Sequence, residues 1–165
     1  LVCDYGIFRD LQRHRMVDDL RWQDLNPFLG RADVPALAGE CGLAPMYAET
    51  YEKSAELYSK IEERYDREVA QYATLLGHKM RWVVGVNARE AFHLHELRTG
   101  ENGHPGYRRL VQKMHKRVEE HHPIITSNMV FVDMRTPEEI QLSRANDKSI
   151  TKTAALQESR DQTTV

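Results

Sequence analysis

The chain has 165 residues, a length that suits one domain with a tail. Hydrophobic residues make up 41% of it and charged residues 29%, an ordinary globular composition that excludes a fibrous or low-complexity protein. Lys and Arg number 23 against 25 Asp and Glu, and the resulting net charge of −2 disfavours nucleic-acid binding through bulk charge.

The first part of the chain is predicted to form a short helix followed by a long loop. Residues 3–12 place Tyr5, Phe8 and Leu11 three positions apart, which is typical of an amphipathic helix. The stretch 26–45 contains three prolines and three glycines. Because these residues interrupt regular structure, the stretch is predicted to be a shaped surface loop.

Tyrosine and apolar side chains then recur every three or four residues along one stripe. From Pro45 to about Leu75 nothing breaks this pattern, which predicts one helix of about 30 residues. The stripe indicates either an ordinary core contact or a subunit interface. Gly77 is predicted to end the helix, since glycine is favoured after a helix C-terminus. The stripe consists of Tyr47, Tyr51, Ala55, Tyr58, Ile61, Tyr65, Val69 and Tyr72.

A strand and two helices are predicted next. Residues 78–86 are rich in β-branched and aromatic side chains, which favours a strand. Asn87 then suits the N-cap of a helix that continues to Gly100. Pro105 suits the first turn of a further helix, which Pro123 is predicted to end.

The remainder is predicted to hold little regular structure. Residues 129–134 are expected to form a short strand. Thr136 and Glu139 have the spacing of a capping box, which predicts a last small helix. Past Asn146 the sequence turns polar, and disorder is expected there.

The histidines and cysteines do not predict a metal site. Two cysteines are too few for a disulfide framework or a zinc cluster, and they suit a reducing cytoplasm. His93 and His95 lie two apart in a predicted helix and therefore point in different directions, while the pair at 121–122 is adjacent. The motifs of nucleophilic catalysis and of phosphate-binding loops are missing as well. No apolar run approaches the roughly 20 residues of a membrane helix.

One polar cluster lies at the end of the first predicted helix, where Arg9 precedes the consecutive residues Arg13, His14 and Arg15. A guanidinium presents a rigid fork of donors that matches phosphate or carboxylate oxygens. The alternative interpretation is a solvated basic face that nearby aspartates balance. Charge alone leaves both interpretations open.

A second polar cluster lies on the helix predicted after the strand, and it comprises Asn87, Arg89, His93, Leu97 and Arg98. The first three span the opening turns, where free backbone amides and the helix dipole favour anions. Arg89, His93 and Leu97 are each four apart and lie in a row, with Arg98 one step around the helix. Such a row suits the wall of a nucleotide cleft, and equally an ordinary helix surface.

The two clusters together resemble the signatures of the flavin-dependent thymidylate synthase (ThyX) family. That family carries Arg-His-Arg at a helix end and, later, an N-x-R-x-x-x-[NH]-x-x-x-L-R stretch, matched here by residues 13–15 and 87–98. The resemblance runs over 8–123. It implies an α+β fold in which a mixed β-sheet packs against long helices. This domain is expected to cover 1–134 with its amino-terminal part missing, because the chain starts directly in a periodic segment. A short helix and a polar tail are expected over 135–165.

The resemblance also implies roles for individual residues. Arg98 corresponds to the family's catalytic arginine, which binds the uracil of dUMP and favours ionisation of the ring nitrogen. The residues implied to hold FAD are Arg13, His14, Arg15, Asn87, Arg89 and His93. The residues implied to contact the nucleotide are Arg9, Arg13, Leu97 and Arg98.

The implied reaction moves a one-carbon unit from methylenetetrahydrofolate to dUMP and yields dTMP. Reduced flavin supplies the hydride and NADPH regenerates it, so that no protein nucleophile is needed. The family assembles as a homotetramer with flavin sites between subunits. Together with the cysteine count, the net charge and the histidine spacing, this predicts a cytoplasmic enzyme with no metal, no nucleic-acid partner and no membrane partner.

Several positions depart from the family pattern and keep alternatives open. Asp10 stands where the family has a nucleotide-contacting glutamine, and Gln71 where it has an arginine. The segment that should grip the dUMP phosphate reads MVDDLRWQDL over 16–25. The first alternative is a catalytically silent paralogue that binds flavin or nucleotide, or acts as a partner subunit. The second is a purely helical interaction module.

Overall fold

A computed structural model describes residues 1–144, 147–148 and 150–151. The chain divides into two compact units, Leu1–Leu94 and the residues from His95 onward. Disorder is predicted past Asn146. Of that segment the structure describes only 147–148 and 150–151, which are helical, and the rest lies outside the described residues.

The first unit is built on an antiparallel sheet. Within the described residues the sheet has three strands in the order β1-β3-β2. Cys3 in β1 lies opposite Met80, and Leu20 in β2 lies opposite Val84, so the long central strand is covered on both edges. The α+β prediction is confirmed, with antiparallel pairing where a mixed sheet is predicted. The strands are β1 (Val2–Asp4), β2 (Asp19–Trp22) and β3 (Lys79–Gly85).

Helices make up most of the remaining regular structure. They are α1 (Tyr5–Leu11), α2 (Ala36–Glu40), α3 (Ala44–Arg64), α4 (Arg67–Ala70), α5 (Ala88–Thr99), α6 (Pro105–His121) and α7 (Pro123–Thr126). Short 3₁₀ turns cover Pro27–Leu29 and Gln71–Ala73. The predicted capping box is confirmed: the Glu139 N–H donates to Thr136 Oγ1 at 3.2 Å, and the Thr136 N–H donates to Glu139 Oε2 at 2.6 Å.

An aromatic core fixes α1 against the sheet. The ring of Phe8 meets that of Trp82 edge-on, with centroids 5.3 Å apart, and Leu11 is buried one turn later. The Trp82 indole N–H donates to Cys3 Sγ at 3.2 Å, which ties β1 to β3. The segment that follows α1 therefore leaves from a helix held firmly in place.

The predicted 30-residue helix is wrong beyond Arg64. Tyr65 leaves the helical region with φ −125° and ψ −102°, and Asp66 Oδ1 then accepts the Val69 N–H at 2.8 Å, which caps α4. The break turns the chain back so that Ala70 and Ala73 pack on Tyr58. Of the predicted stripe, Tyr65, Val69 and Tyr72 are consequently exposed.

Gly77 does not end a helix as predicted, because α3 already ends at Arg64. A side chain at this position would collide with the hydroxyl of Tyr51, which closes directly over the backbone. Tyr51 is itself fixed, because its ring meets that of His78 edge-on and its hydroxyl shares a 3.2 Å hydrogen bond with Tyr47. Glycine is therefore required for close approach and not for a helix cap.

Buried polar groups organise the second unit. The guanidinium of Arg108 donates from Nε to the Thr99 carbonyl at 2.7 Å and lies 3.5 Å from the Asp133 carboxylate. The Asp133 N–H donates to Thr99 Oγ1 at 3.0 Å. Residues 129–134 form a turn at 130–131 and irregular backbone around it. The predicted strand is wrong because their N–H groups donate to nearby carbonyls and to side chains. No helix in the described part of the chain has the length and apolar character needed to cross a bilayer.

Candidate functional site

The Arg-His-Arg segment begins where α1 ends. The Gln12 N–H donates to the Phe8 carbonyl at 2.8 Å, and the His14 N–H donates to the Leu11 carbonyl at 3.1 Å. These bonds wind the segment tightly onto the helix end. His14 is buried as a result, whereas the arginines on either side of it are exposed.

The arginines of this segment differ in their surroundings. Arg13 forms an ion pair with Asp10, one turn earlier on α1. Arg9 and Arg15 are exposed. Asp10 therefore neutralises part of the positive charge of the Arg-His-Arg segment.

Asn87 caps α5 as predicted. Its Oδ1 accepts the Glu90 N–H at 3.0 Å, and its carbonyl accepts the Ala91 N–H at 2.9 Å. Arg89 and His93 project from the first turns of this helix and are exposed. The opening of α5 thus presents two basic side chains together with the positive end of the helix dipole.

The structure joins the two motif-bearing segments through a buried contact. His14 Nδ1 lies 2.6 Å from Glu90 Oε1, and both side chains are almost completely enclosed. The ring of His14 also meets that of His93, with centroids 5.3 Å apart. Residues 76 positions apart in the sequence are thereby held side by side. Their sequence neighbours Arg13, Arg15 and Arg89 are exposed.

Leu97 and Arg98 continue along α5 but belong to the second unit. Leu97 is exposed, and the guanidinium of Arg98 lies over the ring of Tyr107, 5.3 Å from its centroid. A guanidinium held over an aromatic face loses conformational freedom and keeps its charge. The functional roles predicted for all these residues remain predictions.

Two residues of this arrangement were not predicted from the sequence. Glu90 stands three positions after the N-cap Asn87, a spacing that also indicates a capping box, and a carboxylate there is ordinarily solvent-exposed. Its partner lies too far away in the sequence for any local pattern to reveal it. Tyr107 lies outside the motif that contains Arg98, and nothing in the sequence pairs the two.

A pocket of about 250 Å³ lies in the first unit and is lined in part by the segment that contains Gln23 and Asp24. The ring of Phe28 stands perpendicular to that of Tyr58, with centroids 5.7 Å apart. Glu62 pairs with Arg67 at 3.3 Å, and Asp24 adds a second carboxylate. The net negative charge makes the pocket a poor site for a phosphate. Its lining residues are Gln23, Asp24, Asn26, Phe28, Tyr58, Glu62 and Arg67.

The described residues contain no group of three or more His, Cys, Asp or Glu side chains that could hold a metal ion. The buried pair His95 and His115, with Nδ1 atoms 3.3 Å apart, supplies only two nitrogens. A protein metal site ordinarily needs at least three such ligands. The chemical groups available at the candidate site are therefore guanidiniums, imidazoles and the helix terminus.

The fold is shared with a solved protein. The crystal structure of a UMP/dUMP methylase, PolB, from Streptomyces cacaoi bound with 5-Br UMP matches with a TM-score of 0.64 at 15% sequence identity. The match covers 79% of this chain and 71% of that one. At this identity it establishes the architecture alone.

The sequence establishes the family. Residues 1–124 match the family described as thymidylate synthase complementing protein, Thy1, and the chain belongs to it. This confirms the resemblance to ThyX.

Related UPF0159 proteins are found in bacteria and archaea. That of Chlamydia muridarum is 35% identical over 133 residues, which is 81% of this chain and 25% of the relative. That of Thermoplasma acidophilum is 33% identical, with coverages of 81% and 26%. That of Chlamydia pneumoniae is 31% identical, with coverages of 90% and 27%. The chain thus spans about a quarter of the length of these relatives.

Proposed function

We propose that the chain belongs to a FAD-dependent methyltransferase of the thymidylate synthase type, which converts dUMP to dTMP with methylenetetrahydrofolate and NADPH. The observation that supports this proposal best is the buried contact of His14 with Glu90. It brings the Arg-His-Arg segment against the helix that carries Asn87, Arg89 and His93, in a member of the thymidylate synthase complementing family.

The donor set at this contact fits a flavin dinucleotide. Arg15 and Arg89 are exposed guanidiniums that suit the oxygens of a diphosphate, and the positive end of the α5 dipole favours an anion beside them. His93 adds a polar ring beside them, and Arg13 and His14 complete the proposed set. When bound, reduced flavin supplies the hydride that completes the methyl group, and NADPH restores the reduced state.

Arg98 is the proposed catalytic residue. A fixed guanidinium against the uracil ring stabilises the negative charge that develops when the ring nitrogen ionises. Tyr107 supports this role because its ring holds the guanidinium from one side. Arg9, Arg13 and Leu97 are the further residues proposed to contact the nucleotide.

The proposed assembly is a cytoplasmic homotetramer with flavin sites between subunits. The apolar surface that follows the break after α3 supports a protein contact there: Tyr72 is 91% exposed and Leu76 65% exposed, with Tyr65 and Val69 exposed nearby. Exposed apolar side chains gathered in one stretch commonly mark an interface. Light scattering of the purified protein measures the oligomeric state directly.

Flavin analysis tests the proposal first. The purified protein is expected to be yellow and to release FAD on denaturation. Incubation with dUMP, methylenetetrahydrofolate and NADPH should then yield dTMP with matching NADPH oxidation. UMP belongs in a parallel assay, because the structural neighbour is a methylase of both UMP and dUMP. Protein that is folded and binds no flavin would refute the proposal.

A specific observation favours a second candidate, a catalytically silent paralogue that binds flavin or nucleotide, or a partner subunit. Asp10 neutralises Arg13, and the pocket beside the altered phosphate segment carries the carboxylates of Asp24 and Glu62. Both features weaken the binding of a nucleotide monophosphate. A protein that retains FAD and forms no product with either nucleotide would support this candidate over the first.

A further inference from the structure

Glu90 is a buried charged residue in the first turn of α5. It is 4% exposed, whereas its neighbour Arg89 is exposed. Its backbone N–H is already held by Asn87 Oδ1, so the helix fixes the position from which the carboxylate extends. A carboxylate removed from water needs a strong donor nearby, and His14 provides it.

The contact between Glu90 and His14 has the features of a strong hydrogen bond. The distance of 2.6 Å is short for a bond between nitrogen and oxygen, as expected when an acceptor is charged. The surrounding protein excludes water from both side chains, which strengthens the interaction further. A carboxylate oxygen that accepts here is matched by the His14 tautomer that carries its proton on Nδ1, and such a bond fixes the orientation of the ring.

Both partners are anchored in rigid elements. His14 follows α1, which Phe8 and Leu11 bury against the sheet, and Glu90 belongs to the capped turn of α5. The ring of His93, packed on that of His14, adds a second point of contact. Loss of the carboxylate would therefore release the Arg-His-Arg segment from α5 while α1 and α5 themselves remain in place.

We infer that Glu90 is a positioning residue that, through His14, holds the Arg-His-Arg segment against the start of α5 and so preorganises the anion-binding surface for FAD. This inference rests on the proposed function for the identity of the ligand. Preorganisation raises affinity because the binding step no longer bears the entropy cost of ordering this segment.

Glu90→Gln is the central variant, since glutamine preserves the shape and an acceptor oxygen but removes the charge. The expected result is a Kd for FAD at least tenfold higher than in the unchanged protein, which corresponds to about 1.4 kcal/mol. Glu68→Gln is the matched control: Glu68 is an exposed glutamate in the first turn of α4. Its substitution should leave the Kd for FAD unchanged.

Nitrogen NMR of the histidine rings measures the protonation of Nδ1 directly, and a general loss of stability would not change this signal. The His14 ring signals, assigned by their disappearance in His14→Gln, should show a protonated Nδ1 in the unchanged protein and an altered Nδ1 signal in Glu90→Gln. The thermal unfolding temperature of this variant should stay within a few degrees of the unchanged protein. Together these results would place the loss of affinity at the His14 ring.

Two outcomes would overturn the inference. A Glu90→Gln protein with an altered His14 signal and an unchanged Kd for FAD would show that the contact does not serve binding. If Glu90→Gln fails to fold, Glu90→Asp replaces it, because aspartate keeps the charge but draws the carboxylate back by one methylene. An unchanged Kd for FAD in Glu90→Asp, together with a lost Nδ1 signal, would also contradict the inference. An unchanged protein that binds no FAD would refute the proposed function, while the ring signal would still report the contact.

Discussion

At the scale of single residues, Arg89 offers the most direct test of the proposed flavin site. It is exposed on the opening turn of α5, so its removal leaves no buried cavity. Arg89→Ala should raise the Kd for FAD by a factor of about 10 to 150, because a hydrogen bond to a charged group contributes roughly 1.5–3 kcal/mol. Flavin absorbance after gel filtration and direct titration with FAD both measure this effect.

The matched control for Arg89→Ala is Arg117→Ala. Arg117 is also an exposed helical arginine, and its ion pair with Glu120 lies on the surface of α6. This control should retain FAD fully. Equal retention in both variants would remove Arg89 from the proposed flavin site.

Arg98→Ala separates substrate chemistry from flavin binding. The proposed role of Arg98 concerns the uracil ring, so the variant should retain FAD and lose turnover of dUMP. Tyr107→Leu is the companion variant: it removes the ring beneath the guanidinium and keeps its charge, and it should reduce turnover less. Full dTMP formation by Arg98→Ala would show that this arginine has no part in the reaction.

At the scale of secondary-structure elements, Gly77→Ala tests the close approach that positions the start of β3. The added methyl group would collide with the Tyr51 hydroxyl, and the packing of that ring on His78 resists its displacement. The expected loss in the free energy of unfolding is roughly 1–3 kcal/mol. Urea denaturation measures it, and Tyr51→Phe introduced together with Gly77→Ala should restore part of the loss. Additive effects of the two substitutions would contradict this explanation.

The elements that could be predicted are those whose signals are local. The cap of α5 at Asn87 and the capping box at Thr136 depend on residues within one turn, and both are confirmed. The end of α3 could not be predicted from periodicity, because the apolar spacing continues through Asp66. The N-cap at Asp66, together with the packing of Ala70 on Tyr58, overrides the pattern. Strand β2 was not predicted either, since an edge strand with few buried side chains has little apolar alternation.

The same distinction applies to the candidate site. The sequence order of the two motifs indicated which residues to consider, yet it contained no information about the distance between them. That information lies in the contact of His14 with Glu90, which depends on how α1, the sheet and α5 pack. Glu90 could not be found because its charge and helical position are equally typical of a surface residue.

At the scale of the whole molecule, each unit buries a histidine that resists protonation. In the first unit, burial and the charge of Arg31 lower the pKa of His78, whose Nδ1 accepts the Leu75 N–H at 2.9 Å. In the second unit, burial and the neighbouring His115 lower the pKa of His95 to about 4. The unfolded chain binds protons more readily at these positions, so acid should weaken both units.

The free energy of unfolding should therefore increase with pH between pH 4 and 6.5. A histidine whose folded pKa lies below its unfolded pKa contributes its full stability above pH 6.5 and loses it as the pH falls toward the folded pKa. For His95, with a folded pKa of about 4, the loss at pH 5 is roughly 2 kcal/mol. Urea unfolding at pH 7.5 and pH 5 measures it, and His95→Gln should flatten the dependence by about this amount whatever its effect at pH 7.5. An equally steep dependence in His95→Gln and the unchanged protein would assign the acid sensitivity to other groups.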